Sequence, residues 1–553
     1  MKKTASFILV SAALAACGGG GGGGSPAASA PVGTTIPAAP TPTPAPAPAP
    51  PPPAPEVKVL SASMARVAAQ NTGVSFNVQI KPNNFTPAGT LFVTASDPSN
   101  VIASQVSVAP NTDGSYTLSL GSVAGADAGH YTGNITLKLC ADQACATPQA
   151  VSSVTVPYDL TVMGSGTAWP GDNLTTLAAW TDAPEWSTFQ GNAAHTGYVP
   201  VTISPDQIKL RWKSAAISQS QSAFGYGSPA TMAIGNGLFY AAGPAALKAR
   251  KEFDGSVVWS YDVSGLQFPS VNPPAFANGS VYMAAGQQWS TYMFAFDAAT
   301  GAVQFKSPMG SQWENYLAPV ALNDAVYTSG GSYGGLYGFK PSGEQLFFKT
   351  LAQVSMWSPA VDANSVYVYD GTLHVLDRKT GVVITEIKNQ NVQYAVQMNG
   401  AVVLGADGNA FAGNYASGST YAGSTANELL KFNTAKGYID WRVSGNYPLT
   451  PAYSKGLVYV PNLSPYRIEA RNEGDGSLAW SWTPGQAAET SWGGEPVVTN
   501  NLIFVSTNLA TYAIDMTTHK PVWSYPASGR LALSRSGILY IQNMEAVVAI
   551  NLK

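Results

Sequence analysis

Residues 293–305, MFAFDAATGAVQF, decide how most of this chain is read. A short alternating strand runs into a polar turn that ends on Gly301, and an aromatic, Phe305, follows four residues later. The phrase returns as ALKARKEFDGSVVW (246–259), LYGFKPSGEQLFF (336–348), LHVLDRKTGVVIT (373–385), LLKFNTAKGYIDW (429–441), IEARNEGDGSLAW (468–480) and TYAIDMTTHKPVW (511–523). The turn positions are Gly255, Gly301, Gly343, Gly381, Gly437, Gly476 and His519, at intervals of 46, 42, 38, 56, 39 and 43 residues. A period near 40–45 residues made of four short strands is the signature of a propeller blade. Trp259, Trp441, Trp480 and Trp523 fall four residues after a turn position, where each ring is expected to wedge between neighbouring blades.

Residues 536–553, SGILYIQNMEAVVAINLK, supply the middle strands of an eighth copy. Its outer strand is expected from the other end of the repeat region, IKLRWK (208–213), with Trp212 in the wedge position. Closing the ring with both ends removes free sheet edges. Inner strands are read at SPATMA, PPAFAN, APVALN, SPAVDA, AVQMNG, TPAYSK, EPVVTN and LALSRS, which predicts eight blades. The long interval before Gly437 is assigned to an accessory loop over Gly405 to Glu428. Aromatics precede seven inner strands: Tyr226, Phe268, Tyr316, Trp357, Tyr394, Tyr447 and Trp492. They are read either as a binding rim around the central channel or as rings packed between blades.

Over residues 186–553 the repeat resembles that of the pyrroloquinoline-quinone-type (PQQ-type) β-propellers. WSTFQGNAAHTGYVP (186–200) resembles the W-x-x-x-x-G-x-x-x-x-x-G lead-in of that family, which implies a segment crossing one end of the ring and a structural role for His195. In the family's dehydrogenases the resemblance implies a quinone on the axis, a calcium ion, a catalytic carboxylate and a disulfide between adjacent cysteines. This propeller has no cysteine, its blades are compact, and Glu314, Asp362 and Glu495 near the inner-strand openings form no ligand pattern. The four histidines, His130, His195, His374 and His519, are isolated in sequence, and no phosphate loop, nucleophile elbow or metal spacing occurs. The expectation is a non-catalytic scaffold without cofactor, metal or catalytic residues, the alternatives being a quinoprotein oxidoreductase or a surface polysaccharide-binding or adhesion protein. In architecture the chain resembles the propeller lipoproteins of the outer-membrane β-barrel assembly machinery, which implies a protein-binding role.

The N-terminus reads as an export signal. Lys2 and Lys3 precede the apolar run FILVSAALAA, too short to span a bilayer, and Leu14-Ala15-Ala16-Cys17 resembles the lipobox of bacterial lipoproteins. The resemblance implies cleavage before Cys17 and a lipid on its thiol; Gly18 in place of Asp implies the outer membrane, facing the periplasm or the outside. With Cys17 acylated, Cys140 and Cys145 remain to form a disulfide that suits an oxidising compartment. Residues 18–56 are Gly-rich and then Pro/Ala-rich, a disordered tether. Residues 57–164 alternate short strands and turns, as a β-sandwich does, and DAGHYTG (127–133) resembles the tyrosine corner of immunoglobulin-like domains, with Tyr131 bonding back to the preceding loop. A connector fills 165–185.

Composition narrows the partners. Charged residues are 11% of the chain, against about 25% in an average soluble domain. Net charge is −3 and no basic cluster occurs, which argues against nucleic acid and against anionic membrane surfaces. The expected partner is a protein or a polysaccharide, the membrane is met only through the Cys17 lipid, and the propeller is expected to be monomeric.

Overall fold

The computed structural model describes residues 53–63, 65–69, 73–127, 129–163, 174–215, 231–243, 246–263, 270–287, 290–310, 316–352, 357–392, 400–414, 427–485, 489–543 and 546–553. The signal segment with Cys17, almost all of the tether, part of the connector, and Tyr226, Phe268, Tyr394 and Glu314 lie outside the described residues.

The first folded part is a pair of four-stranded sheets. Alternation along Ser75–Asn83 turns Phe76, Val78 and Ile80 inward, and Ile135, Leu137 and Leu139 of Gly129–Cys140 meet them in one core. The Tyr131 hydroxyl donates to the Asp127 carbonyl at 2.9 Å. A disulfide joins Cys140 to Cys145.

From Lys209 onward the described residues form eight successive antiparallel sheets, each a four-strand meander; in the second, the inner position is split between Ser270–Val271 and Ala275–Ala277. The first sheet is Met232–Gly235, Leu238–Ala242, Ala246–Lys251 and Val257–Asp262. The last takes Arg530–Leu533, Ile538–Gln542 and Ala546–Asn551 from one end of the chain and Lys209–Ala215 from the other. Every outer strand is bulged one residue before the position that faces its neighbour: Ala249 pairs Trp259 and then Arg250 pairs Val257, and Ala549 pairs Trp212 and then Ile550 pairs Leu210. The composite sheet thus repeats the register of the continuous ones.

The bulge aims the aromatic at the next sheet. The Trp212 ring lies against Gly255 and Trp259 against Gly301, where an added Cβ would stand 2.6 Å from the indole. Each indole N–H donates to the carbonyl three residues before that glycine, Trp212 to Glu252 (3.1 Å), Trp259 to Ala298 (2.9 Å) and Trp441 to Glu473 (2.9 Å). Trp480 stacks on His519 at 4.5 Å, so the one imidazole in the glycine series takes the ring face instead of making room for it. Thr385 breaks the pattern, and Gly437 faces open space. Trp212, Phe239 and Tyr540 join the last sheet to the first, with ring centroids 5.1–5.9 Å apart, so the series closes on itself as a β-propeller.

Two boundaries differ from the sequence reading. The described inner strand of the fifth sheet is Val403–Leu404, beyond AVQMNG (395–400), of which residues 395–399 lie outside the described residues. The accessory loop begins later than Gly405, since Asn409–Asn414 is a strand paired with Glu428–Asn433; residues 415–426 lie outside the described residues.

Candidate functional site

The centre of the ring is filled by the chain's own residues 186–199. The inner strand of each sheet has an unpaired edge facing the axis, and its N–H and C=O groups need partners. This segment supplies them one sheet at a time. The carbonyl of Trp186 accepts from Ile234 N–H (2.7 Å) in the first sheet, Ser187 from Phe276 (2.7 Å) in the second, and the Thr188 hydroxyl donates to Pro319 O (2.7 Å) beside the third. Ala193 accepts from Val361 (2.8 Å), Ala194 from Leu404 (2.9 Å), Thr196 from Tyr453 (2.8 Å) and Gly197 from Val498 (2.8 Å), in the fourth to seventh sheets. The eighth meets Trp186 through the apolar core shared with Leu531 and Ala532. The mixed character of the stretch follows: small residues where backbones converge, and Trp186 and Phe189 filling apolar gaps.

His195 is fully buried, with Nδ1 2.6 Å from Phe189 O and Nε2 2.9 Å from Pro359 O. Burial holds the imidazole below its ordinary pKa, although both carbonyls favour the charged form. Both nitrogens face backbone carbonyls, of which the neutral ring donates to one, and the enclosed ring packs the axial segment against the fourth sheet. A cavity of about 20 Å³ lies between Trp186, Phe189, Gln190, Glu495, Arg530 and Gln542. That is room for about one water, against ~300–1,000 Å³ for a ligand pocket. Glu495 is paired with Arg530, and Asp362 accepts from Asn364 N–H, Ser365 N–H and the Tyr367 hydroxyl in a turn. Among the described residues, no group of three or more His, Cys, Asp or Glu side chains could hold a metal ion.

Of the seven aromatics before the inner strands, Tyr316, Trp357 and Tyr447 are 6%, 3% and 2% exposed. They present no platform to a ligand: Tyr316 and Trp357 pack into cores between sheets, and Tyr447 donates to Glu469 Oε2 at 3.1 Å. Burial, then the Glu469 charge, pushes the Tyr447 phenol up to about 12. Trp492 is half-buried, its ring tilted against Tyr466 with centroids 4.5 Å apart and its N–H donating to Asn462 O.

Sequence reading left His374 isolated, yet the fourth sheet surrounds it with carboxylates. The hairpin at Asp370 and Gly371 brings Asp370 back to Nε2 (3.2 Å), and cross-strand pairing sets Glu386 on Nδ1 (2.9 Å). The three line a cleft of about 450 Å³ with Lys349, Thr372 and Lys388. Register was the missing signal, because His374 pairs Glu386 only once the bulge after Val375 is known. Burial works against the imidazolium, but the two carboxylates outweigh it and raise the His374 pKa. A raised folded-state pKa gives stabilisation that is full below the unfolded value near 6.5 and is lost as pH rises through the folded value. Comparing wild type with His374→Gln by thermal melting should therefore show a larger deficit at pH 6 than at pH 8.5. An equal deficit at both would contradict the charged bridge.

A closed ring of four-strand meanders with recurrent Gly and aromatic wedges, crossed on its axis by its own lead-in, defines a β-propeller of the PQQ-type repeat class. The chain belongs to the PQQ_2 family, whose model, described as outer membrane protein assembly factor BamB, matches residues 195–481 and 333–551. Among solved structures it is similar to BamB from Moraxella catarrhalis, at 16% identity and TM-score 0.48, over 63% of this chain and 98% of that one. It is also similar to a europium-containing methanol dehydrogenase (14%, TM-score 0.48, 65% and 89%) and to the computationally designed Ika8 protein (13%, TM-score 0.46, 62% and 100%). No curated protein matches the sequence.

Proposed function

We propose that this protein is a lipid-anchored, non-catalytic scaffold of the outer membrane that binds protein partners in the assembly of outer-membrane proteins. The observation that carries this reading is the match of the family described as outer membrane protein assembly factor over residues 195–551. The lipobox-like Leu14–Cys17 supports the anchor, and the Gly/Pro-rich stretch after it suits a tether that holds the folded part away from the lipid. The sandwich is read as immunoglobulin-like, which the Tyr131–Asp127 bond supports. The axial segment and the committed acids Asp362 and Glu495 favour binding over catalysis.

Two measurements test it. Cys17→Ser should move the protein out of the membrane fraction after a carbonate wash; retention there would remove the lipid anchor. The immobilised chain from Glu56 onward should retain unfolded outer-membrane β-barrel precursors or membrane-assembly proteins. A chain that retains neither, but oxidises an alcohol when given the quinone and a divalent ion, would overturn the scaffold reading.

A further inference from the structure

The sandwich inserts one carboxylate into the closing seam of the ring. Asp159, on the strand Pro148–Met163, is 6% exposed. One of its oxygens takes the ammonium of Lys213, on the closing strand Lys209–Ala215 of the eighth sheet. The other takes the hydroxyl of Tyr525, on the outer strand Pro521–Tyr525 of the seventh. The Lys213 ammonium also sits 5.4 Å from the centre of the Tyr525 ring, and Lys213 is 1% exposed. A single side chain of the sandwich therefore stitches together the last two sheets of the propeller.

Lys213 alternates with Trp212, so the strand that drives its indole into the first sheet turns its ammonium toward the sandwich. The residues after the sandwich add further ties to the same seam. Arg211 donates to Thr175 O (3.0 Å) and to Asn551 Oδ1 (3.1 Å). Trp180 and Arg535 exchange hydrogen bonds at 2.9 and 3.2 Å, and Lys553 reaches Ala178 O while lying 4.7 Å from the centre of the Trp180 ring. Sandwich and connector touch the ring where its two chain ends meet.

We propose that the sandwich is the clasp of the propeller: Asp159 locks the closing strand, and the sandwich and the ring seam open together. The strand pairing of the eighth sheet closes the ring through residues more than 300 positions apart, such as Lys213 and Val548. Joining distant segments carries a chain-entropy cost, and a covering domain offsets it. A buried lysine without its carboxylate is strongly unfavourable, so the pair binds the seam to the sandwich, whatever it adds in net stability.

The test is hydrogen exchange on the full chain. Asp159→Ala should speed exchange at least ~10-fold in Lys209–Ala215 and Ala546–Asn551 while leaving Ser365–Tyr369, in the fourth sheet, unchanged. The double variant Asp159→Leu/Lys213→Met, which replaces the pair with apolar groups, should recover part of that protection. If Asp159→Ala does not fold, Tyr525→Phe removes only a hydroxyl and should give a smaller acceleration confined to the seam. Unchanged seam exchange in Asp159→Ala, or in Tyr525→Phe where Asp159→Ala does not fold, would overturn the clasp. So would calorimetry in which the sandwich melts first and the ring transition stays where it was.

Discussion

Removing residues 546–553 should abolish the cooperative unfolding of the propeller. These residues hold the third strand of the eighth sheet, and Val547, Val548, Ile550 and Leu552 are all buried. Full burial of such side chains contributes ~1.5–3 kcal/mol each, so the four together represent ~6–12 kcal/mol. Whole domains of ordinary size are stable by only ~5–15 kcal/mol, so the loss is comparable to everything available. The truncation also strips Ile538–Gln542 and Lys209–Ala215 of their common partner, leaving two apolar edges open to intermolecular pairing, and removes Ala549 from opposite Trp212. Calorimetry of the shortened chain should show no cooperative ring transition, and light scattering should show association. A monodisperse truncated protein that melts at the wild-type temperature would mean that the seam between Lys209–Ala215 and Ala546–Asn551 does not close the ring in solution.

The seam was legible in the sequence because a blade is a local unit. Each turn glycine and its aromatic sit within one copy, so Trp212 could be recognised as the missing wedge of the last copy before any contact was seen. Trp259, Trp441 and Trp480 confirm how regular that code is, and Thr385 shows its limit, since the glycine opposite it faces nothing. What the sequence did not carry lies in backbone bonds and in distant pairs. The axial segment is marked by its Trp and Gly spacing, but it is held mainly through main-chain carbonyls, which leave no residue pattern to say which sheet each position meets. The fifth inner strand, Val403–Leu404, likewise shows itself through backbone bonds, to Ala410 and Phe411 on one side and from the Leu404 N–H to Ala194 O on the other. Asp159 and Lys213 are 54 residues apart and belong to different sheets, and Asp370, His374 and Glu386 converge only once a hairpin and a bulge are in place. The aromatics before the inner strands were visible as a series, but whether a ring faces a core or a channel depends on its neighbours: Trp357 and Tyr447 are enclosed and Trp492 is not.

The axial segment should be sensitive to a single added methyl. Gly197 has φ +62°, and a Cβ there would stand 2.4 Å from Gln190 Oε1, 3.0 Å from Ala452 Cβ and 3.0 Å from Pro496 O. Gln190 cannot swing aside cheaply. It is 4% exposed, and its Nε2 donates to Thr450 O (3.2 Å) and Pro451 O (3.0 Å). Pro496 O is backbone beside the seventh inner strand, so relief there means moving the sheet. Gly437 is the matched control, with φ +76° and nothing within 4 Å of the added Cβ. Alanine at either position meets the left-handed backbone penalty of ~1–2 kcal/mol, and only Gly197→Ala adds overpacking of ~1–3 kcal/mol. Denaturant unfolding should therefore place Gly437→Ala within ~1–2 kcal/mol of wild type and Gly197→Ala ~2–5 kcal/mol below it. Because residues 186–197 bond to seven sheets in turn, the whole ring transition of Gly197→Ala should shift as one. Equal losses in the two variants would show that the segment yields locally, and that the sheets do not depend on their shared axis.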